Sequence, residues 1–99
     1  MISIKIYKKG TELMIGACDD NLLGKKFEEG KFQIDVTKAF YGGEKISTDV
    51  LKKYLKDATI ANLVGKKTVK CAIELGLIDP DCVIKIKGVP HAQMVRMLL

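Results

Sequence analysis

His91 is the single histidine of the 99-residue chain, so any imidazole chemistry must use it. A neutral imidazole near physiological pH can donate, accept or take up a proton. His91 lies in a Gly-Val-Pro-His-Ala-Gln segment (residues 88–93), in which Pro90 stiffens the preceding backbone and Gln93 adds an amide. His91 has either a binding or acid–base role or a structural one, in which it lies in a loop and its ring forms hydrogen bonds with the backbone. A single histidine excludes a His-Glu-x-x-His zinc helix.

The cysteines Cys18, Cys71 and Cys82 are the candidate nucleophiles and soft metal ligands. Zinc sites usually pair their ligands about two to four residues apart. These cysteines are not paired in that way, so we expect no metal and no cofactor. A Cys18–His91 dyad requires only that the two side chains meet in space, but a free cysteine more often packs as a small hydrophobe. Three unpaired cysteines favour a reduced, cytoplasmic protein.

Asp19 and Asp20 offer an adjacent pair of carboxylates for acid–base work. Capping of a following helix accounts for them more simply, because carboxylates favour the positive N-terminal end of a helix.

A short motif occurs twice, as Asn-Leu-Leu-Gly-Lys-Lys at 21–26 and as Asn-Leu-Val-Gly-Lys-Lys at 62–67. If each copy opens a helix, its free N–H groups and lysines could hold an anion. The residues of this anion-site hypothesis are Asn21, Gly24, Lys25, Asn62, Gly65 and Lys66. The alternative is an asparagine cap before a helix, met twice. The nucleotide-binding signature Gly-x-x-x-x-Gly-Lys-Ser/Thr is absent, because Ile60 stands five residues before Gly65.

The formal charge of +5 arises from sixteen lysines and one arginine, Arg96. Lysine is a flexible point charge, whereas arginine offers the planar fork that reads base edges and grips phosphates at two points. This balance therefore favours loose phosphate contact, or mere solubility, over sequence-specific recognition. We expect no membrane partner, because the apolar runs are far shorter than the roughly 20 residues that a bilayer requires.

The elements that position these residues follow from hydrophobic periodicity. Alternation predicts strands at 2–8, 13–18, 32–36 and 82–86, with 59–63 a short buried strand or an extended link. Three helices are predicted. The first starts at residues 19–21 and ends near Gly30, and the second starts at Ser47 or Thr48. The third carries Val69, Ala72 and Ile73 and ends at Gly76. Residues 40–43 and 79–81 are predicted as a loop and a turn.

These elements predict an α+β fold, in which a mixed or mainly antiparallel sheet of about four or five strands is covered by three helices. We expect a single domain over residues 1–99, since domains usually run to about 100–200 residues.

The segments at 18–25, 27–30, 40–43 and 61–65 and the Gly-Val-Pro-His-Ala-Gln segment at 88–93 together resemble a family of small archaeal proteins. That family is the domain of unknown function 424. The resemblance covers nearly the whole chain and implies a cytoplasmic archaeal protein of one domain. It nominates these segments as a common site, without a known activity or substrate. An acidic residue is expected where Lys66 stands.

Three functions agree with these residues. The first is a non-catalytic module that binds RNA or a ribonucleoprotein through a lysine-bearing face. The second is a small enzyme or ligand-binding protein whose cleft gathers His91, Gln93, Tyr41, Asp19 and Cys18. There His91 is the acid–base or hydrogen-bonding group, and Gln93 and Tyr41 orient the ligand. The third is a protein–protein adaptor that uses an exposed apolar patch such as Val95–Leu99. We expect the non-catalytic module more than an enzyme.

Overall fold

A computed structural model describes residues 1–96 and contains a six-stranded sheet and a separate two-stranded one. The chain forms, in order, β1 (Ile2–Lys9), β2 (Glu12–Asp19), β3 (Lys26–Glu29), β4 (Phe32–Asp35), α1 (Lys38–Tyr41), β5 (Glu44–Ile46), α2 (Thr48–Asp57), β6 (Ile60–Val64), α3 (Lys66–Glu74), β7 (Ile84–Ile86) and β8 (Val89–Val95). Two short 3-10 turns, Asp20–Leu22 and Pro80–Cys82, join these elements.

The strands of the larger sheet lie in the order β5-β1-β2-β6-β8-β7. Among the strands of residues 1–96, β2 and β6 are the one parallel pair in this sheet, and its other pairs are antiparallel. Because parallel strands end at the same edge of a sheet, Asp19 at the end of β2 lies beside Gly65, which follows β6. This edge is where the site described below forms.

The two faces of the sheet bury different layers. On the helix face, α2 and α3 pack against apolar side chains that include Ile4, Ile15 and Leu63. On the hairpin face, the β3–β4 hairpin and α1 pack over Cys18 and Val64. Neighbouring residues in a strand point to opposite faces, so the strand alternation assigns each side chain to one layer.

The α+β class, the mixed sheet, the number of helices and the β1–β2 hairpin are confirmed. Only α2 and α3 lie where helices were predicted. The loop predicted at 40–43 is wrong in its first half, because Thr37 caps a single helical turn, α1, that includes Phe40 and Tyr41. The second helix begins as expected, since the Ser47 side chain accepts a hydrogen bond from the Val50 N–H. The number of strands is larger than predicted, with six in one sheet and two in the other. The strands that were not predicted are β3, β5 and β8. β3 and β5 have four and three residues, too few to show clear alternation, whereas β8 has seven residues and contains Pro90, a residue that is uncommon within strands.

The helix predicted from residues 19–21 to Gly30 is wrong. A 3-10 turn ends at Leu22, and Gly24 then adopts a φ of +86°, which an α-helix does not allow. Phe27 pairs with Ile34 in the β3–β4 hairpin instead, and Gly30 lies in its turn with a φ of +60°. The apolar side chains Leu22, Leu23 and Phe27 still face the core, but as parts of a turn and a strand.

Candidate functional site

A pocket of about 210 Å³ opens at the edge of the sheet where β2 and β6 end and β8 begins. Five residues singled out from the sequence line this edge pocket: Asp19, Asn21, Gly65, Lys66 and Pro90. The Gly65 N–H donates to the Pro90 carbonyl at 2.9 Å, which links the second copy of the repeated motif to the Gly-Val-Pro-His-Ala-Gln segment. The sequence segments that seemed distant therefore meet at one place.

The N-terminus of α3 forms one wall of the edge pocket, and the Asp19 carboxylate occupies it. One carboxylate oxygen accepts from the Thr68 N–H at 2.9 Å and from the Thr68 hydroxyl at 2.8 Å. The other accepts from the Lys67 N–H at 3.2 Å. A carboxylate at this position satisfies helix N–H groups that have no partner within the helix and opposes the helix dipole.

Gly65 has a φ of +109°, a conformation that L side chains rarely adopt. A Cβ at this position would also overlap the Asp19 carboxylate. The glycine is therefore needed for its backbone conformation and for the approach of Asp19.

These contacts correct the anion-site hypothesis for the repeated motif. In the second copy, Asn62 lies in the middle of β6 and Lys66 is the first residue of α3. The N–H groups that an anion would use already donate to the Asp19 carboxylate. In the first copy, Gly24 and Lys25 belong to a bend in which the Gly24 N–H donates to the Val36 carbonyl at 2.7 Å and the Val36 N–H donates to the Lys25 carbonyl at 2.9 Å. Neither residue lines the edge pocket. The two copies are alike in sequence only.

Asp19 and Asp20 line a common surface cavity, but their carboxylates bind different groups. The Asp20 carboxylate forms an ion pair with Lys45 at the surface, while Asp19 points to α3. Each carboxylate thus has its own partner, and capping by Asp19 applies to α3 rather than to the segment that follows it in the chain.

His91 and Gln93 lie on the hairpin face, away from the edge pocket. His91 is paired with Val64, and Gln93 with Asn62. The Gln93 side-chain amide donates to the Asn62 side-chain oxygen at 2.7 Å. His91 and Gln93 line a pocket of about 250 Å³ together with Cys82. Burial lowers the pKa of His91, so its imidazole is neutral at physiological pH.

Cys18 and Tyr41 are buried beneath the hairpin face and do not reach either pocket. Burial, with a contribution from the Asp19 carboxylate, raises the pKa of Cys18 to about 11, so its thiol stays protonated at neutral pH. Burial likewise raises the pKa of Tyr41 to about 12. Val64 stands between Cys18 and His91 in the sheet, which separates the two backbones by about 10 Å at ordinary strand spacing. The thiol that shares a pocket with His91 is that of Cys82.

A groove between α3 and β7 adjoins the edge pocket, and sequence reasoning missed it. It has a volume of about 280 Å³ and is lined by Lys66, Val69, Lys70, Ile73, Pro80, Val83, Lys85 and Pro90. Lys66 and Pro90 line both cavities. The four-residue spacing of Lys66 and Lys70 indicates that both lie on one face of a helix. The sequence gives no such signal for Lys85, which reaches this face because it pairs with Pro90 in the sheet.

Within residues 1–96, no group of three or more histidine, cysteine, aspartate or glutamate side chains is placed to hold a metal ion. In the same part of the chain, no helix has the length and apolar character that crossing a membrane demands. The apolar patch proposed for an adaptor is described only in part. Val95 is 72% exposed, and residues 97–99 lie outside the described residues.

Comparison with known proteins gives one family and one similar structure. No curated protein matches the chain. The crystal structure of an uncharacterized conserved protein from Methanopyrus kandleri has a TM-score of 0.79 and 22% sequence identity, over 99% of this chain and 96% of that one. Identity this low establishes a common fold and nothing further. The family model for a protein of unknown function, DUF424, matches residues 7–97, so the chain belongs to the DUF424 family, as its motifs indicated.

Proposed function

We propose that this protein is a non-catalytic module that binds RNA through a lysine-lined groove between α3 and β7. The observation that carries the proposal is the lining of the groove. It consists of Lys66, Lys70 and Lys85 and of apolar residues, and it contains no acidic side chain. Cations gathered around a concave surface attract a phosphate backbone and raise the rate at which it is captured.

The ion pairs of the protein leave these lysines available. Among the described residues, the lysines in ion pairs are Lys26, Lys45 and Lys52. Lys66, Lys67 and Lys70 are all exposed on α3, and Lys85 is exposed on β7. Like charges around one groove repel one another, and a bound polyanion relieves that repulsion.

The single arginine supports recognition of the backbone rather than of base sequence. The Arg96 guanidinium donates to the Lys56 carbonyl at 2.6 Å, near the C-terminal end of α2, where a cation is favoured by the helix dipole. Arginine is the side chain that most often reads guanine, and here it is engaged by the protein itself. We therefore expect binding that depends little on RNA sequence.

The catalytic alternative loses support because its residues are divided. Asp19 caps α3 at the sheet edge, His91 and Gln93 lie on the hairpin face, and Cys18 and Tyr41 are buried. A nucleophile and its base need to be within hydrogen-bonding reach of each other, and Cys18 and His91 are on strands separated by β6.

Fluorescence anisotropy with an unstructured RNA strand at 50–200 mM salt tests the proposal. Contact with three or four phosphates predicts a slope of log K against log salt of about −2 to −3, which is roughly a 20- to 50-fold loss of affinity over this range. No detectable binding at 50 mM salt would contradict the proposed function.

A matched pair of triple variants tests the location. Lys66→Gln, Lys70→Gln and Lys85→Gln remove the lysines of the groove, whereas Lys8→Gln, Lys9→Gln and Lys53→Gln remove three exposed lysines elsewhere. Both variants lower the net charge equally. We expect the groove variant to lose most of the salt-dependent binding and the control to keep most of it. Equal losses would mean that the charge acts diffusely and that the groove is not the site.

A further inference from the structure

We infer that the groove between α3 and β7 receives an unpaired nucleobase, so that the protein binds single-stranded RNA in preference to a duplex. This inference rests on the RNA-binding function proposed above and adds the substrate class. Its basis is that the groove combines cations with an apolar floor, a combination that phosphates alone do not require.

The floor of the groove is apolar and partly shielded from water. It consists of Val69 and Ile73 of α3, Val83 before β7, and the prolines Pro80 and Pro90. These are the two prolines of the whole chain, and they lie at one groove although they are ten residues apart. Covering such a surface with the flat face of a base removes apolar area from water on both partners. Bases that are flipped out of a stack are held between apolar side chains in the same way.

Backbone hydrogen bonds fix the positions of both prolines. The Pro90 carbonyl accepts from the Gly65 N–H at 2.9 Å. Pro80 begins a 3-10 turn in which the Asp79 side chain accepts from the Asp81 N–H at 2.9 Å and the Asp79 carbonyl accepts from the Cys82 N–H at 2.8 Å. A surface formed in advance loses little conformational entropy when a ligand binds.

The size of the groove favours one base at a time. Its volume of about 280 Å³ is just below the range for small-molecule pockets, roughly 300–1,000 Å³. Lys66 and Lys70 stand on one side and Lys85 on the other, where they can contact the phosphates that flank an inserted nucleotide. In a duplex the faces of the bases are stacked within the helix, so a duplex can use the lysines but not the floor.

Competition against a labelled single strand tests this inference at low salt. The competitors are the unlabelled strand, the same strand in a duplex, an abasic strand with the same phosphates, and inorganic polyphosphate. The floor is aliphatic, so a base held there gains less than one stacked on an aromatic ring, and we expect the duplex and the abasic strand to compete about 5-fold less well than the intact strand.

A matched pair of floor variants tests the position of the base. Val83→Ser places a hydroxyl on the floor, and Ile84→Ser makes a similar change on the opposite face of the same segment. We expect Val83→Ser to weaken binding of the intact strand and to leave binding of the abasic strand unchanged, while Ile84→Ser changes neither. The competition with the abasic strand uses the unaltered protein, so it tests the inference even if the Val83→Ser variant does not fold.

The outcomes separate the two proposals. If the strand binds but the duplex, the abasic strand or polyphosphate competes equally well, the base inference is wrong and the RNA-binding function survives. If the labelled strand does not bind at all, the proposed function fails and this inference fails with it.

Discussion

The carboxylate of Asp19 joins the sheet to α3 by accepting two hydrogen bonds from Thr68, one from its N–H at 2.9 Å and one from its hydroxyl at 2.8 Å. The two residues are separated by 49 positions in the chain. Thr68 is fully buried, so its hydroxyl depends on Asp19 rather than on solvent for a partner. This contact holds α3, and with it Lys66 and Lys70, at the sheet edge.

Asp19→Ala is expected to lower the free energy of unfolding by about 2–3 kcal/mol, because it removes a helix cap and leaves a buried hydroxyl unpaired. The measurement is urea denaturation followed by circular dichroism. Asp20→Ala is the matched control, since it breaks only the surface ion pair with Lys45 and is expected to cost less than about 1 kcal/mol. Equal losses in the two variants would show that Asp19 is not a structural cap.

Gly65→Ala is expected to destabilise the protein by about 3 kcal/mol or more. It forces an L residue into a φ of +109° and drives its Cβ against Asp19, and both effects cost free energy. Gly10→Ala is the control, because Gly10 also has a positive φ but a Cβ there meets nothing within 4 Å. Its cost is expected to be only about 1–2 kcal/mol. Thermal and urea denaturation of both variants give the comparison, and a Gly65→Ala variant no less stable than Gly10→Ala would contradict the contact.

Thiol labelling is expected to modify one cysteine in the native protein and three after denaturation. Cys82 is exposed, whereas Cys18 and Cys71 are buried. Burial raises the pKa of both buried thiols, to about 11 for Cys18, which further reduces the thiolate that reacts. Titration with a chromogenic disulfide at pH 8 measures the number directly. In the Cys82→Ser control, fast labelling should disappear, and a second fast thiol in the native protein would refute the assigned burial.

Acidification is expected to destabilise the native protein in part through His91. Burial lowers its pKa from the ordinary value of 6.5, so the unfolded chain binds the proton more readily than the folded one. Unfolding therefore takes up a proton at pH values below about 6.5, and the free energy of unfolding falls as the pH drops toward the folded-state pKa. Above this window the contribution of His91 does not change with pH.

Urea denaturation of the unaltered protein and of His91→Gln at pH 7.5 and 5.5 isolates this contribution, since the carboxylates are common to both. Relative to His91→Gln, the unaltered protein should lose stability at pH 5.5. An identical pH dependence in both proteins would mean that the imidazole titrates as it does in the unfolded chain.

Local patterns were sufficient where one strand or helix has a single buried face. In β1, Ile2 and Ile4 are buried on the helix face, and the turn at Gly10 leads directly into β2, so the hairpin could be read from alternation. The same holds for α2, where Ser47 supplies the cap and Leu51 and Leu55 form the buried stripe.

Local patterns failed where the spacing of apolar residues agrees with both the helical and the strand period. Leu22, Leu23 and Phe27 agree with one face of a helix, yet Gly24 and Gly30 take positive φ values and the segment folds as a turn and a hairpin. Pairing of Phe27 with Ile34 was decided by a strand that follows in the chain, and no short window contains that information.

The candidate site residues are also brought together only in part. The amino-acid sequence alone nominated Asp19, Asn21, Gly65, Lys66 and Pro90, and these do line one pocket. It also grouped His91 and Gln93 with Cys18 and Tyr41, which the fold distributes between the open surface and the core. Alternation in β8 assigns Pro90 and His91 to opposite faces, although they are adjacent in the chain.

Residue types, the turns at Gly10 and at 79–81 and the lysine-rich charge were determined by the sequence itself, because they depend on neighbours within a few positions. The parallel pairing of β2 with β6, the capping of α3 by Asp19 and the groove that gathers Lys66, Lys70 and Lys85 were decided only by the tertiary structure. Each of these depends on contacts between residues far apart in the chain, whose formation depends on the packing of the whole core rather than on any local preference.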